Sequence, residues 1–212
     1  MAQKFAQLEV NGVIVIVLGL TGGIGVGKSE VANMLKDLGA TIINADHEGH
    51  EAYRAGTIGW RRLVEIFSSE ILLQDGEIDR KKLGALVFSD PDARAWLNSA
   101  IHPLIRSRVS QSIQAYREEG QSLVVLDAAL LFQAGWNDLC DEIWLVTSTP
   151  IDAIYERLFK RGLTAKEIKR RLEAQEEYGL LVNLADIHIE NSHSIEDLRQ
   201  TVKSIWTERI NN

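Results

Sequence analysis

Leu18-Gly19-Leu20-Thr21-Gly22-Gly23-Ile24-Gly25-Val26-Gly27-Lys28-Ser29 is the stretch on which the fold turns. Within it, Gly22-x-x-x-x-Gly27-Lys28-Ser29 has the spacing of a phosphate-binding loop, a pattern that carries meaning only between a strand and a helix. Both flanks fit. Val13 to Leu20 is an unbroken apolar run rich in β-branched residues, which predicts a buried strand. From Ser29 onward, Val31, Ala32, Met34, Leu35 and Leu38 fall at helical spacing. A triphosphate concentrates negative charge in a small volume. Glycines let the backbone turn tightly and aim its N–H groups at phosphate oxygens, and the following helix adds the positive end of its dipole. In this pattern Lys28 bridges the β- and γ-phosphates, and the Ser29 hydroxyl ligates Mg²⁺.

The chain around this loop has 212 residues, of which 45% are apolar and 25% charged, enough for one large α/β domain with a real core. The formal net charge of −7 opposes a general nucleic-acid binder, whereas a nucleotide site needs only a few local cations. Cys140 is the only cysteine, so no internal disulfide forms, which fits a reducing cytoplasm. The run Val13 to Leu20 is too short to span a bilayer, and cleavage after it would destroy the loop, so neither a membrane span nor a leader is expected. Residues 1–12 read as a short extension.

Farther along, Gly39 stops the first helix and Thr41-Ile42-Ile43 forms a second strand ending at Asn44-Ala45-Asp46. A helical segment is expected from His47 to Phe67, broken near Gly56 and Gly59, and Gln74-Asp75-Gly76 marks a turn. Helices are expected over Asp79–Val87, from Asp90-Pro91 to about Ser99, and from His102-Pro103 to about Tyr116, with Gly120 as the stop. Leu123–Asp127, Glu142–Val146 and Ile187–Glu190 read as strands. Pro150 starts a helix over Ile151–Lys160, Thr164-Ala165-Lys166-Glu167 is a capping box, and Ser194 caps a last helix through Trp206.

Strands alternating with helices predict an α/β, three-layer fold on a mostly parallel five-stranded sheet, with ligands at the carboxyl ends of the strands. The loop, Asp46 and Asp127 each follow or end such a strand. Asp127 ends its strand as a Mg²⁺-associated carboxylate does in many nucleotide enzymes. Asp46 reads equally as a general base for phosphoryl transfer or as a helix N-cap. Arg157 and Arg161 lie four apart on one helix, and an arginine at a closing lid neutralises transition-state charge. Asn191 reads either as a contact to adenine or as a turn residue. His47 and His50 lack further ligands at zinc spacing. Trp60, Trp96 and Trp136 read as core or lobe surface.

The ordered set of segments resembles the dephospho-coenzyme A kinase family from Val13 to the last helix. The resemblance rests on Leu20–Ser29, Asn44-Ala45-Asp46 with His50 and Gly56, Leu86-Val87-Phe88, and His102-Pro103. It continues in Leu130-Leu131-Phe132, Arg171 with Gln175, and Ala185-Asp186 with Asn191. It implies a P-loop kinase fold like that of nucleoside monophosphate kinases: a core over 13–46, 121–156 and 185–212, a coenzyme A-binding helical lobe over 47–120, and a small lid over 157–184. It implies ATP-dependent phosphorylation of the ribose 3′-hydroxyl of dephospho-coenzyme A, the last step of coenzyme A synthesis.

The resemblance further implies ATP contacts from Gly22, Gly23, Ile24, Gly25, Val26, Gly27, Lys28, Ser29, Glu30 and Asn191, with Mg²⁺ at Ser29 and Asp127. It implies acceptor contacts from Thr21, Asp46, His50, Leu130 and Leu131, and catalysis by Lys28, Asp46 and Arg161. Four positions depart from the family pattern. Glu30 stands where threonine is usual, Asn44 where aspartate is common, and Ala129 and Gln133 where proline and glutamate flank the Leu-Leu-Phe segment. They leave a weakly active paralogue as one alternative. A kinase of another small acceptor is a second. A guanine-reading switch is a third, but no Asn-Lys-x-Asp motif accompanies the loop.

Overall fold

The computed structural model describes residues 9–10, 13–173 and 181–209. In chain order these hold β1 (Glu9–Val10), β2 (Val13–Ile14), β3 (Ile16–Gly22), α1 (Lys28–Asp37), β4 (Thr41–Asn44), α2 (Ala45–Ala52) and α3 (Ile58–Phe67). Next come α4 (Arg80–Ser89), α5 (Pro91–Glu118), β5 (Leu123–Asp127), β6 (Glu142–Thr147), α6 (Ile151–Lys160), α7 (Ala165–Glu173), β7 (Ile187–Glu190) and α8 (Ile195–Arg209). Packing divides the chain into two units, Met1–Ile43 with Tyr116–Asn212, and Asn44–Ala115.

The first unit is built on a five-stranded sheet of order β4-β5-β3-β6-β7. The strand leading into the glycine loop is central, and it pairs in parallel with β5 and β6. Alternation of side chains sends Leu18 and Leu20 of β3 to one face, where they join Val125, Trp144, Val146 and Ile189. Helices α1, α6 and α8 cover that face through Val31, Leu35, Ile154, Leu158, Leu198, Val202 and Trp206. On the other face Gly19 supplies no side chain, and Leu131 with Cys140 closes over it: a Cβ there would meet Leu131 Cδ2 at 2.9 Å and Cys140 Sγ at 2.8 Å.

The second unit holds α2, α3, α4 and most of α5. Leu63, Ile71, Ile78, Leu83, Val109 and Ile113 are among its buried residues. Gly59 lets α3 approach the end of α2, since a Cβ there would stand 2.2 Å from the Ala52 carbonyl oxygen. Arg108 Nε donates to Glu48 Oε2 at 2.8 Å, tying α5 to α2.

Three expectations change. The apolar run from Val13 is not one strand. Its first two residues pair antiparallel with Glu9–Val10 in a separate ribbon, Val10 opposite Val13, and the sheet strand starts at Ile16. Two residues, Asn11-Gly12, lie between the paired valines, a strong hairpin signal that the reading of residues 1–12 as a plain extension passes over. The first lobe helix begins at Ala45 rather than His47, and Gly59 lies inside α3 instead of breaking it. Finally, the two helices expected around Ser99 and His102-Pro103 are one helix of 28 residues with Pro103 inside it. Proline removes one i→i−4 bond, but Ala93, Ala100, Ile101, Ile105, Val109 and Ile113 are buried along both halves, and their packing carries the helix through.

Candidate active site

β3 delivers the chain to the loop, and α1 begins at Lys28. Gly22 passes so close to β6 that a Cβ would meet the Val146 carbonyl oxygen at 2.7 Å. Gly27 has φ +98°, a left-handed conformation that glycine adopts at little cost, and a Cβ there would stand 2.1 Å from Asn191 Nδ2. The loop therefore has a close wall behind it, and its glycines are required by that wall as well as by any ligand in front. The first amides of α1 have no acceptor within the helix, so the loop opens onto a helix N-terminus suited to an anion.

The wall is polar. Asn191 is buried, and its Nδ2 donates to the Val26 carbonyl at 2.9 Å. Arg157 Nη1 donates to the Gly25 carbonyl at 3.2 Å and to Ser148 Oγ at 2.9 Å, while Nη2 donates to the Asn191 carbonyl at 2.9 Å. Ser148 Oγ also donates to the Asn191 carbonyl at 2.7 Å. Beside it, Thr149 and Ser192 both donate to the Glu190 carboxylate, and these bonds hold that carboxyl below its ordinary pKa. The segments after β6 and β7 are thus fastened to each other and to the underside of the loop.

In front, Lys28 Nζ pairs with Asp127 Oδ1, and both side chains are largely buried. Leu20 lies opposite Asp127 in the β3–β5 register, which brings the end of β5 beside the loop. Two expected elements therefore meet at one sheet edge. Ser29 and Glu30 are exposed in the first turn of α1. Glu30 lies where an acidic group is favoured by the helix dipole. The set fits a phosphate group bound with Mg²⁺, which takes one or two protein oxygens alongside phosphate oxygens and water. Among the described residues no cluster of three or more His, Cys, Asp or Glu forms a metal site of protein ligands alone.

Thr21 is fully buried, and its Oγ1 donates to the Ala129 carbonyl at 3.4 Å. Leu131 is also fully buried, against Gly19, whereas Leu130 is exposed. Gln133 is exposed. Arg161 caps the end of α6 and is exposed. The Thr164–Glu167 capping box forms as expected, with Glu167 Oε2 accepting from Thr164 N at 2.8 Å. An apolar pocket of about 260 Å³ lies against the loop, lined by residues including Ile24, Val26, Val146, Ile154, Leu172 and Val182.

The second unit carries its own polar group. Asn44 is the N-cap of α2, with Oδ1 accepting from His47 N at 2.9 Å. Asp46 is exposed in the first turn, so the capping alternative for it falls away. Arg80, the first residue of α4, lies 3.1 Å from His50 Nδ1. Arginine can only donate, so Nδ1 accepts and His50 is neutral with its proton on Nε2. Burial, then Arg80, holds the His50 pKa below its usual value, against opposing pulls from Asp46 and Glu51. Tyr53 meets His50 edge to face, and burial raises its pKa. Arg80 escapes a reading of the sequence, where Asp79-Arg80 signals only a helix start.

A central parallel strand ending in a glycine cradle, with a lysine at the first position of the next helix and a carboxylate beside it, defines a P-loop nucleotide-binding protein. Residues 16–197 match the model of the dephospho-CoA kinase family. The dephospho-CoA kinase of Dehalococcoides mccartyi is 38% identical over 195 residues, 92% of this chain and 98% of the relative. That of Geobacter metallireducens is 40% identical over 196 residues, 92% and 97% of the two chains. Among solved structures, the dephospho-CoA kinase from Campylobacter jejuni matches with a TM-score of 0.69 at 25% identity, covering 92% of this chain and 97% of that one. A shikimate kinase from Acinetobacter baumannii shares the fold, with a TM-score of 0.55 at 15% identity over 93% and 94%. The chain belongs to the dephospho-CoA kinase family.

Proposed function

We propose that the chain transfers the γ-phosphoryl group of ATP to the ribose 3′-hydroxyl of dephospho-coenzyme A, giving coenzyme A and ADP. The glycine cradle with Lys28 held beside Asp127 carries the phosphoryl-transfer part of the reading, and the acceptor follows from the family. The acceptor's 3′-oxygen forms the bond to the γ-phosphorus as the bond to the β-phosphate oxygen breaks. Asp46 takes the hydroxyl proton. Lys28 and the loop amides stabilise charge on the moving phosphoryl group, and Arg161 adds a cation as the lid segment closes. Mg²⁺, held by Ser29 and by Asp127, would neutralise the β- and γ-phosphates. Thr21, His50, Leu130 and Leu131 are the further acceptor contacts that the family resemblance implies. Arg80 holds His50 in its neutral form.

The test is a transfer assay with ATP and Mg²⁺ against a panel of acceptors: dephospho-coenzyme A, adenosine monophosphate and shikimate. Phosphorylation of dephospho-coenzyme A alone, at the 3′ position, is expected. Transfer to another member of the panel with none to dephospho-coenzyme A would overturn the reading.

A further inference from the structure

The cradle's walls raise a separate point. Asn191 and Arg157 each hold a carbonyl of the loop, on consecutive peptides, from behind. Every described peptide bond other than Thr149–Pro150 is trans. In a planar trans peptide the C=O of one residue and the N–H of the next point in opposite directions. Arg157 Nη1 takes the Gly25 carbonyl, so the Val26 N–H is turned to the opposite side. Asn191 Nδ2 takes the Val26 carbonyl, so the Gly27 N–H is turned likewise. We propose that Asn191 and Arg157 are positioning residues that aim the Val26 and Gly27 amides at the phosphates, and that Asn191 works through its amide donor rather than as a reader of adenine. This rests on the ATP-binding reading of the loop.

Three observations converge on it. The Asn191 side chain is buried, and its Nδ2 is committed to the loop. The Arg157 guanidinium spends both terminal nitrogens on Gly25, Ser148 and the Asn191 backbone. The left-handed Gly27 leaves room for the Asn191 amide, which a Cβ there would overlap. The second glycine of the motif and Asn191, 164 positions later in the chain, are thus two halves of one fitting.

The experiment compares ATP with tripolyphosphate, which has the phosphates and no base. Affinities for both are measured on the full chain for wild type, Asn191→Ala and Arg157→Lys, with melting curves and the ¹H–¹⁵N shift of the Gly27 amide on tripolyphosphate addition. Arg157→Lys keeps the charge and loses the two-pronged geometry. The proposal expects both variants to bind both ligands about tenfold more weakly, by a common factor, with the Gly27 shift diminished. A loss confined to ATP in Asn191→Ala would mark Asn191 as a base contact and overturn the proposal, as would wild-type affinities and shift in a folded Arg157→Lys. If Asn191→Ala does not fold, Arg157→Lys alone decides by the same comparison. Wild-type protein that binds neither ligand would overturn the ATP-binding reading itself, a result distinct from any of these.

Discussion

Asn44 and Asp46 stand two residues apart, and only one of them caps the helix. Because Asn44 already satisfies the amide of His47, Asp46→Asn should leave the melting temperature unchanged. Turnover should fall by about 10²–10⁴, the range for loss of a general base, with ATP affinity barely altered. Near-normal turnover in that variant would remove Asp46 from the chemistry. Lys28→Ala should cost about 10²–10³ in turnover, as loss of one preorganised charge contact does; activity within threefold of wild type would contradict the loop's role. His50 gives a pH dependence. Its folded pKa lies below the ordinary imidazole value of 6.5, so the unfolded chain takes up the proton first as pH falls. The stability it contributes is present above that value and is lost as pH drops through the folded pKa, along with the acceptor site for Arg80. The KM for dephospho-coenzyme A should therefore rise as pH falls through that lowered pKa, and His50→Gln, which cannot protonate, should flatten the profile. That Lys28 and Ser29 open the helix after the loop could be read from spacing alone. The partner of Asn191 could not, because nothing local in Asn191-Ser192 points back to Val26.

At the level of elements, strands β5 and β7 and helix α6 lie where apolar runs and Pro150 put them. The Thr164–Glu167 capping box and the Ser194 cap were also legible, because their bonds are local. Ser194 N and Oγ both donate to Asp197 Oδ2, at 3.1 and 2.6 Å. Helix α8 buries Leu198, Val202 and Trp206 in the core. Ser194→Ala should therefore cost about 1 kcal/mol and lower the melting temperature by roughly 2–4 °C, with turnover unchanged; a larger loss, or a change in turnover, would show that the cap does more than start a helix. Pro103 misleads in the other direction. Its local penalty of about 3 kcal/mol is real, but six buried positions along α5 outweigh it, and such packing is invisible to a reading of turn signals.

For the molecule as a whole, the reading places ATP on the first unit and assigns Asp46, His50 and Arg80, all in the second, to the acceptor side. Amide hydrogen exchange should separate the two. ATP with Mg²⁺ should protect the loop amides around Val26 and Gly27, and dephospho-coenzyme A should add protection in α2 and at the start of α4. Protection of α2 and α4 by ATP alone, with none added by the acceptor, would undo that division. The parallel sheet and the alternation of strand and helix were legible because parallel strands need long crossovers, whereas the order β4-β5-β3-β6-β7 is set by packing that no local signal carries. The long helical stretch after Asp46, more than one crossover needs, reads as an inserted lobe over 47–120; the second packed unit runs Asn44–Ala115.

The closure over Gly19 has a practical consequence. Burial, with the charges of Asp141 and Asp138, pushes the Cys140 thiol up to about 12, so almost none of it is thiolate at neutral pH. The protein therefore carries one dormant sulfhydryl, wedged against its central strand. A thiol-reactive dye at pH 7 should label the half-buried thiol slowly, and faster as the segment around Leu131 and Cys140 lifts away. The labelling rate, followed against denaturant, becomes a stopwatch for that lifting, with no engineered probe and no second cysteine to confuse the signal.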